Sequence, residues 1–288
     1  MKIAWIGAGK MGLPLCRRLK AAGHEISILA RRAEQATSLQ QEGFAVAAST
    51  TELVKNSDII FTCVPDDLAL AEVMLNGELV KALPKAATLI DMSTVSPEIS
   101  AKIAVQLPTE ISFLRSPVSG STGMAETGTL TALVSGPKAT FDAMEKIFSA
   151  FTKKAFYLGD AEEARFLKLA INSMVAATSA SLGEALALGQ KGGLSNAAML
   201  DVITQSAVAS PLISYKRDMI VSGDYKPAAT LNMLKKDLDL FLAAGVESGV
   251  AMPINNAVKK IYDSAAQRGL GEKDFFVLVQ EAGKAKIS

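Results

Sequence analysis

The chain has 288 residues, which is longer than most single domains and predicts two of them. Hydrophobic residues make up 49% and charged residues 20%, as in a globular protein with a large core. The formal net charge of +1 gives no reason to expect nucleic acid or an acidic membrane surface as a partner.

A glycine-rich turn follows the first apolar strand. The predicted strand is Lys2-Ile3-Ala4-Trp5-Ile6, and it leads into Gly7-Ala8-Gly9-Lys10-Met11-Gly12 and then a helix. In a G-x-G-x-x-G turn of this kind the first glycine allows the tight turn, the second lets the backbone approach a pyrophosphate, and the third lets the helix pack closely. The helix N-terminus attracts phosphates. The turn therefore predicts a dinucleotide site; a tight turn that binds nothing is the alternative.

Strand and helix signals alternate through the first half of the chain. Further strands are predicted at 25–29, 58–63, 88–91, 110–114, 130–135 and 155–158. Helices are predicted at 11–22, 33–42, 68–75, 97–106 and 139–151. This alternation predicts an α/β fold, with a Rossmann-type doubly wound and mostly parallel sheet in a domain of residues 1–160.

Strand signals cease from residue 161, and five helices are predicted in an all-helical domain over 161–288. The first, 162–191, carries apolar and small residues on nearly every face, which is typical of a domain interior or an oligomer interface and favours at least a dimer. Asn172 and Glu184 interrupt it, so it is not expected to span a membrane. Ser210-Pro211 and Gly223 mark the ends of the second helix. The others are predicted at 230–247, 253–268 and 273–283.

Histidine and cysteine are scarce. His24 is the only histidine, so neither a histidine acid nor a metal site is expected. Cys16 and Cys63 lack metal-ligand spacing, which predicts reduced thiols in a cytoplasmic protein.

The N-terminal apolar run stops at Lys10, and no secretion signal is expected. None of the tyrosines is followed by lysine four residues later, so the proton donor must be another side chain.

The end of the second strand distinguishes NAD from NADP. An NAD site usually has Asp or Glu there, accepting hydrogen bonds from the ribose hydroxyls. This chain reads Ile28-Leu29-Ala30-Arg31-Arg32 instead. No carboxylate is present to repel a 2′-phosphate, and two guanidinium groups can clamp it. The pattern favours NADP(H), with Arg31 as the stronger candidate; two solvated arginines are the alternative.

Three later segments carry groups suited to a small acid. Asp91-Met92-Ser93-Thr94-Val95-Ser96-Pro97 follows a strand end, where open α/β sheets bind ligands, although it also suits a helix start. Ser116-Pro117-Val118-Ser119-Gly120-Ser121-Thr122-Gly123 can offer N–H and O–H donors to a carboxylate, or form an ordinary turn. Lys168 and Asn172 share one helix face, where they are either catalytic or solvated.

The chain resembles the β-hydroxyacid dehydrogenases over nearly its whole length. That family includes 3-hydroxyisobutyrate dehydrogenase, tartronate semialdehyde reductase and the glyoxylate/succinic semialdehyde reductases. The resemblance rests on six segments that occur in the family's order. They are the glycine turn, Ser93-Thr94-x-x-Pro97, Pro117-Val118-Ser119-Gly120, Gly128-Thr129-Leu130, Lys168-x-x-x-Asn172 and Lys236-Asp237-Leu238.

The resemblance implies roles for individual residues. Lys168 would be the catalytic acid and base, because an ammonium stabilises negative charge growing on a carbonyl oxygen and then delivers a proton. Lys236 would close the site from the helical domain, which would bind substrate. Substrate contacts are expected from Ser119, Gly120, Ser121 and Asn172. Cofactor contacts are expected from Gly7, Ala8, Gly9, Lys10, Met11, Gly12, Arg31, Arg32, Val64, Pro65, Thr94 and Lys236.

Several positions depart from the family pattern. Arg115-Ser116 stand where relatives usually carry Asp-Ala, and Met124 stands where a small glycine is common. Arg115 is expected to face solvent, with contact to an extra anionic group as the alternative. Met124 is expected to narrow the substrate pocket or make it more apolar.

The sequence thus predicts an NADP(H)-dependent oxidoreductase that transfers a hydride between nicotinamide and a small hydroxy acid or aldehyde acid. A homodimer or homotetramer is expected. One alternative is an imine reductase-like enzyme of the same fold, a class that usually lacks a lysine at the position of Lys168. The other is a non-catalytic nucleotide-binding module, which loss of that lysine would have favoured.

Overall fold

The computed structural model describes residues 1–30, 32–76 and 78–282. The chain divides into two compact units, one of Met1–Lys168 and one from Leu169 onward. This division lies inside a long helix, and the predicted domain boundary at residue 160 stays a prediction.

A six-stranded parallel sheet forms the centre of the first unit. Its spatial order is β3-β2-β1-β4-β5-β6, and every neighbouring pair is parallel. Both faces are covered, so the interiors of the central strands are apolar, and polar residues stand only at the strand ends. The order reverses between β1 and β4, where doubly wound sheets bind ligands. The prediction of a Rossmann-type fold is confirmed. The strands are β1 Lys2–Ile6, β2 Glu25–Leu29, β3 Ala45–Ala47, β4 Ile59–Thr62, β5 Thr88–Asp91 and β6 Ser112–Arg115.

Helices cover the two faces of this sheet. Side chains alternate along β1, so Ile3 and Trp5 join one buried cluster while Ala4 and Ile6 join the other. The predicted helix 139–151 is wrong as a single element, because the backbone at Met144 leaves helical geometry and separates α8 from α9. The helices are α1 Gly12–Ala21, α2 Ala33–Gln41, α3 Thr50–Val54, α4 Asp67–Met74, α5 Leu79–Ala82, α6 Pro97–Gln106, α7 Thr122–Thr127, α8 Lys138–Ala143 and α9 Glu145–Ser149.

A second, smaller sheet completes the first unit. It has the order β7-β8-β9, with β7 antiparallel to β8 and β8 parallel to β9. The prediction of one continuous sheet is therefore wrong for its last two strands. Hydrophobic alternation identifies a strand without identifying its partner, and β7 is too short to show any alternation. These strands are β7 Val118–Ser119, β8 Leu130–Val134 and β9 Thr152–Tyr157.

Helices form the second unit. Ser210 caps α12, its Oγ accepting a hydrogen bond from the Ile213 amide at 3.2 Å, and Gly223 ends α12 with φ +71°. Both ends agree with prediction, whereas α11 was not predicted. The helix predicted at 273–283 begins later, with a 3₁₀ turn that starts at Phe275. Its predicted last residue, Gly283, lies outside the described residues. The elements are α10 Glu163–Lys191, α11 Asn196–Ile203, α12 Pro211–Ser222, α13 Leu231–Glu247, α14 Pro253–Ala265, a π-helical turn Ala266–Leu270, a 3₁₀ turn Phe275–Val277 and α15 Leu278–Glu281.

Helix α10 is not buried on all sides in the single chain. Met174 is 70% exposed and Leu188 77% exposed, so the domain interior does not cover every face of this helix, and the expected oligomer interface stays a prediction. A length of apolar helix sufficient to cross a membrane does not occur among the described residues.

A buried ion pair lies inside the second unit. Lys216 Nζ donates to Asp274 Oδ2 at 2.5 Å, and both side chains are almost fully buried. Phe275 and Phe276 flank the ammonium, with ring centroids 5.0 and 5.6 Å from Nζ. The pair joins α12 to the segment that starts the 3₁₀ turn.

Candidate active site

Two of the three glycines of the first turn have no room for a side chain, whereas the third has open space around it. Gly7 has φ +95°, and a Cβ there would overlap the carbonyl oxygen of Cys63. Gly12 has no room either, because a Cβ would overlap the Gly7 carbonyl oxygen. Gly9 is the opposite case, since a Cβ there would meet no atom within 4 Å. An open backbone at Gly9 between two constrained glycines fits a pyrophosphate cradle.

Trp5 stabilises this turn through a hydrogen bond to its backbone. Its buried indole donates from Nε1 to the Gly7 carbonyl oxygen at 3.3 Å and stacks on Phe61 with ring centroids 4.7 Å apart. Gln35 also stabilises the turn, because its Nε2 donates to the Ala8 carbonyl oxygen at 3.3 Å. Sequence reasoning missed both residues, because long-range contacts to backbone carbonyls leave no local pattern.

The two cysteines lie beside the turn as free thiols, Cys16 in α1 and Cys63 after β4. Burial raises the pKa of Cys63 to about 12 and raises that of Cys16 well above its ordinary value. Both thiols therefore stay protonated at neutral pH and contribute packing rather than a nucleophile. Among the described residues, no three His, Cys, Asp or Glu side chains are grouped to hold a metal ion.

The end of β2 is the expected location of the adenosine ribose. Arg32 is exposed and has an extended backbone at the start of α2. Arg31, the stronger candidate for contact with a 2′-phosphate, lies outside the described residues. Ala30 is half-buried. The described part of this segment presents a guanidinium and no carboxylate until Glu34.

The loops after β4 and β5 are joined by hydrogen bonds around Asp91. Thr62 Oγ1 and Ser93 Oγ donate to Asp91 Oδ1 at 2.6 and 2.7 Å. Ser93 Oγ in turn accepts from the Val64 amide at 2.9 Å. Two of the predicted cofactor residues, Val64 and the half-buried Thr94, thus lie on loops that share one buried carboxylate, while Pro65 is exposed.

The segment predicted to bind substrate forms a tight turn between β7 and α7. Ser119 ends β7, and exposed Gly120 follows with φ +139°. Ser121 Oγ caps α7 by accepting from the Met124 amide at 3.4 Å. The Met124 thioether lies 3.2 Å from where a Gly120 Cβ would stand, so this side chain supports the turn.

Lys168 is half-buried on α10, at the end of the first unit. The residues just before it are anchored firmly. Arg165 is 1% exposed and forms an ion pair with Asp91. Arg115 is only 6% exposed and pairs with Glu162. The expectation that Arg115 faces solvent is therefore wrong; its charge is neutralised within the fold by Glu162, a residue far away in sequence.

In the second unit, Asn172 and Lys236 contact the same carboxylate. Asn172 Nδ2 donates to Asp237 Oδ2 at 2.6 Å. Lys236 Nζ lies 2.8 Å from Asp237 Oδ1. Asp237 is 7% exposed. The sequence named the two outer residues as functional and assigned no role to the carboxylate between them.

Comparison with known proteins matches both halves of the chain to NAD-binding family models. Residues 2–159 match the NAD-binding domain of 6-phosphogluconate dehydrogenase, and residues 163–281 match the corresponding model for NADP-dependent 3-hydroxyisobutyrate dehydrogenase. Glyoxylate/succinic semialdehyde reductase 1 of Arabidopsis thaliana is 30% identical over 97% of this chain and 98% of its own length. 2-(Hydroxymethyl)glutarate dehydrogenase of Eubacterium barkeri is 31% identical over 97% and 94%, respectively.

A solved structure agrees with this assignment. 3-Hydroxyisobutyrate dehydrogenase of Mycobacterium tuberculosis, determined with L-serine, superposes with a TM-score of 0.88 at 25% identity, covering 97% of this chain and 98% of that one. The sequence comparison and the structural comparison therefore indicate the same family along nearly the whole chain. The protein belongs to the β-hydroxyacid dehydrogenase family of NAD(P)-dependent oxidoreductases.

Proposed function

We propose that the protein is an NADP(H)-dependent reductase of small aldehyde acids, or a dehydrogenase of the corresponding hydroxy acids, with Lys168 as the acid and base. One observation carries this proposal. Lys168 follows Arg165 by one helical turn, and Arg165 is fixed to the carboxyl end of β5, where open α/β sheets bind ligands. The relatives' names support the same substrate class, since they refer to semialdehydes and hydroxy acids.

The glycine turn would hold the pyrophosphate through its backbone, with Lys10 and Met11 beside it. Arg31 and Arg32 would bind the 2′-phosphate, because planar guanidinium groups pair well with phosphate oxygens. Val64, Pro65 and Thr94 would flank the nicotinamide end, and Lys236 would contact the cofactor as well. When bound, NADPH supplies the hydride.

Lys168 would act on the carbonyl oxygen of the substrate. Lysine side chains are ordinarily protonated at neutral pH, so the ammonium can stabilise the developing negative charge and then give up a proton. In the oxidation direction the neutral amine would accept the hydroxyl proton. With one histidine, His24, placed between α1 and β2, Lys168 has few competitors for this role.

Substrate binding is assigned to Ser119, Gly120, Ser121 and Asn172. Backbone N–H and hydroxyl groups of the first three suit a carboxylate, while the amide of Asn172 suits a hydroxyl or carbonyl oxygen. This donor set favours a small anionic substrate.

The test is reduction of a panel of semialdehydes, keto acids and cyclic imines, followed by NADPH absorbance. Lys168→Ala is expected to lose about 10²-fold or more in kcat. Quenching of Trp5 fluorescence should show unchanged NADPH binding, since Trp5 contacts the glycine turn. Lys191→Ala, at the other end of α10, is the matched control and should behave like the wild type. Full turnover by Lys168→Ala would assign the proton donor elsewhere, and turnover of imines alone would favour an imine reductase.

We also propose a cytoplasmic homodimer or homotetramer. Its support is the exposure of Met174 and Leu188 on α10, together with two reduced thiols. Light scattering of the purified protein should give a mass at least twice that of the 30.2 kDa chain. A monomer at micromolar concentration would contradict the proposal.

A further inference from the structure

Four charged residues alternate in sign where α10 begins. Asp91 and Arg115 are the last residues of β5 and β6, and they are register partners across the two strands. Glu162 and Arg165 stand three residues apart at the start of α10. Asp91 pairs with Arg165 and Arg115 pairs with Glu162. These four residues, here called the α10 anchor, bind the start of the helix to two adjacent strand ends.

Arg165 forms hydrogen bonds to three groups of the first unit. Its guanidinium donates to Asp91 Oδ2, to the Ser93 carbonyl oxygen at 2.7 Å, and to Ser100 Oγ at 3.3 Å. These partners belong to the end of β5, the loop after it, and α6. A planar group held on three sides restricts both the position and the rotation of the helix that carries it.

The anchor shares its carboxylate with the proposed cofactor loops. The second oxygen of Asp91 accepts from Thr62 and Ser93, and Ser93 accepts from the Val64 amide. The loops after β4 and β5 and the first turn of α10 are therefore fixed to one buried group. A displacement of Arg165 would move the helix relative to those loops.

Lys168 lies three residues after Arg165, about 4.5 Å further along the helix axis and on the same side. We propose that the α10 anchor, through Arg165, positions the Lys168 ammonium relative to the cofactor loops. Arg165 is thus a positioning residue, and the inference rests on the proposed function. Misplacing a catalytic group by about 1 Å can cost about 10²-fold in rate.

Stability alone does not account for the anchor. Apolar side chains of similar volume commonly replace a buried ion pair without loss of stability. They lack the directional hydrogen bonds that hold Arg165 to three separate segments. The anchor therefore contributes geometry that simple packing would not.

The decisive variant is the double substitution Asp91→Asn with Arg165→Met. It removes both charges together, and an asparagine can still accept from Thr62 and Ser93, so the cofactor loops keep their hydrogen bonds. Arg165→Lys keeps the positive charge but lacks the forked guanidinium that donates hydrogen bonds to three groups. Arg217→Met is the matched control, because it removes an arginine with two hydrogen bonds to Asp201 in the second unit.

Three measurements separate positioning from folding: kcat and KM for the aldehyde acid, the Kd of NADPH from Trp5 fluorescence, and the isotope effect of NADPH deuterated at the transferred hydrogen. In the double variant kcat should fall about 10²-fold with the Kd of NADPH nearly unchanged. The isotope effect should rise as chemistry limits turnover. Arg165→Lys should recover part of kcat, and Arg217→Met should match the wild type.

Wild-type kcat in the folded double variant would overturn the inference. Equal losses in kcat and NADPH binding would also overturn it, since they would show a general effect on the first unit. If the double variant does not fold, Arg115→Met with Glu162→Gln is judged by the same criteria. Retained turnover in Lys168→Ala would overturn the proposed function itself, whereas retained turnover only in the anchor variants would overturn this inference alone.

Discussion

The side chain of Asn172 donates from Nδ2 to Oδ2 of Asp237 at 2.6 Å. A carboxylate can only accept, so this contact determines which end of the Asn172 amide faces Asp237. The carbonyl oxygen of Asn172 therefore points in another direction, with its orientation fixed. Asp237 thus orients the Asn172 amide, a contact that its place in Lys236-Asp237-Leu238 did not reveal.

Asp237→Asn should lower kcat/KM for the aldehyde acid roughly ten- to a hundredfold, because hydrogen bonds to charged groups contribute about 1.5–3 kcal/mol. An asparagine at 237 can accept or donate, so it no longer fixes the Asn172 amide. Steady-state kinetics on the purified variant would measure the loss. Asp239→Asn is the control, since Asp239 pairs with Lys235 and Lys259 instead, and an equal loss there would contradict the assignment.

Gly9→Ala should leave the fold intact and weaken NADPH binding about tenfold or more. The added methyl group meets no protein atom within 4 Å, but it occupies the space proposed for the pyrophosphate. Thermal unfolding and Trp5 quenching would separate the two effects. Gly23→Ala gives the reverse pattern, since φ is +87° there: about 1–2 kcal/mol of stability lost and unchanged cofactor affinity. Normal NADPH binding by Gly9→Ala would remove the turn from the cofactor site.

Arg31→Asp should shift the ratio of kcat/KM for NADPH over NADH by about a hundredfold or more, because charge-assisted hydrogen bonds to the 2′-phosphate are replaced by repulsion. Arg32→Asp should have a smaller effect in the same direction. Parallel kinetics with both cofactors would provide the ratio. An unchanged ratio in Arg31→Asp would exclude that residue from 2′-phosphate recognition.

Lys216→Met should destabilise the protein by about 3–5 kcal/mol, because it leaves Asp274 buried without its cation. Adding Asp274→Asn should recover part of that loss, since no charge then remains uncompensated. Urea unfolding would measure both variants. Lys138→Met provides the comparison, as its pair with Asp142 is more than half exposed and should cost below about 1 kcal/mol. Similar costs for both lysines would contradict the role assigned to burial.

His24 should titrate below the ordinary histidine value of about 6.5. Burial lowers its pKa, with a smaller effect from the N-terminal amine. The unfolded chain then binds a proton before the folded chain does, so the stability from neutral His24 is present above about pH 6.5 and declines below it. Because the chain has one histidine, its NMR titration is unambiguous. A midpoint at or above 6.5 would contradict this assignment, and His24→Gln should flatten the acid-side decline.

The sequence predicted the elements whose signals are local. The glycine turn, the end of β5 and the cap at Ser210 are written in neighbouring residues, and each formed where expected. Periodicity also separated the α/β half from the helical half. The second sheet was missed because strand alternation does not specify a partner, and Met144 gave no breaker signal inside the predicted helix 139–151.

In the candidate site, too, the sequence indicated residues with local signals and missed those whose partners are distant in sequence. Lys168 and Asn172 became candidates through their spacing of four residues and the family resemblance, and their roles stay predictions, whereas Arg165 was not singled out. Its significance depends on Asp91, which lies 74 residues earlier. Arg115 was assigned to solvent for the same reason, because nothing near it in sequence indicates that Glu162 neutralises it. Charge pairs between distant segments become visible only in the folded chain.

The α10 anchor also constrains how this sequence can change over generations. A single substitution at Asp91, Arg115, Glu162 or Arg165 leaves a buried charge alone, which is costly. The partner must then change as well before the new sequence is tolerated. Among close homologues, Asp91 and Arg165 should therefore be retained or replaced together, and so should Arg115 and Glu162. Such covariation would reflect the two ion pairs.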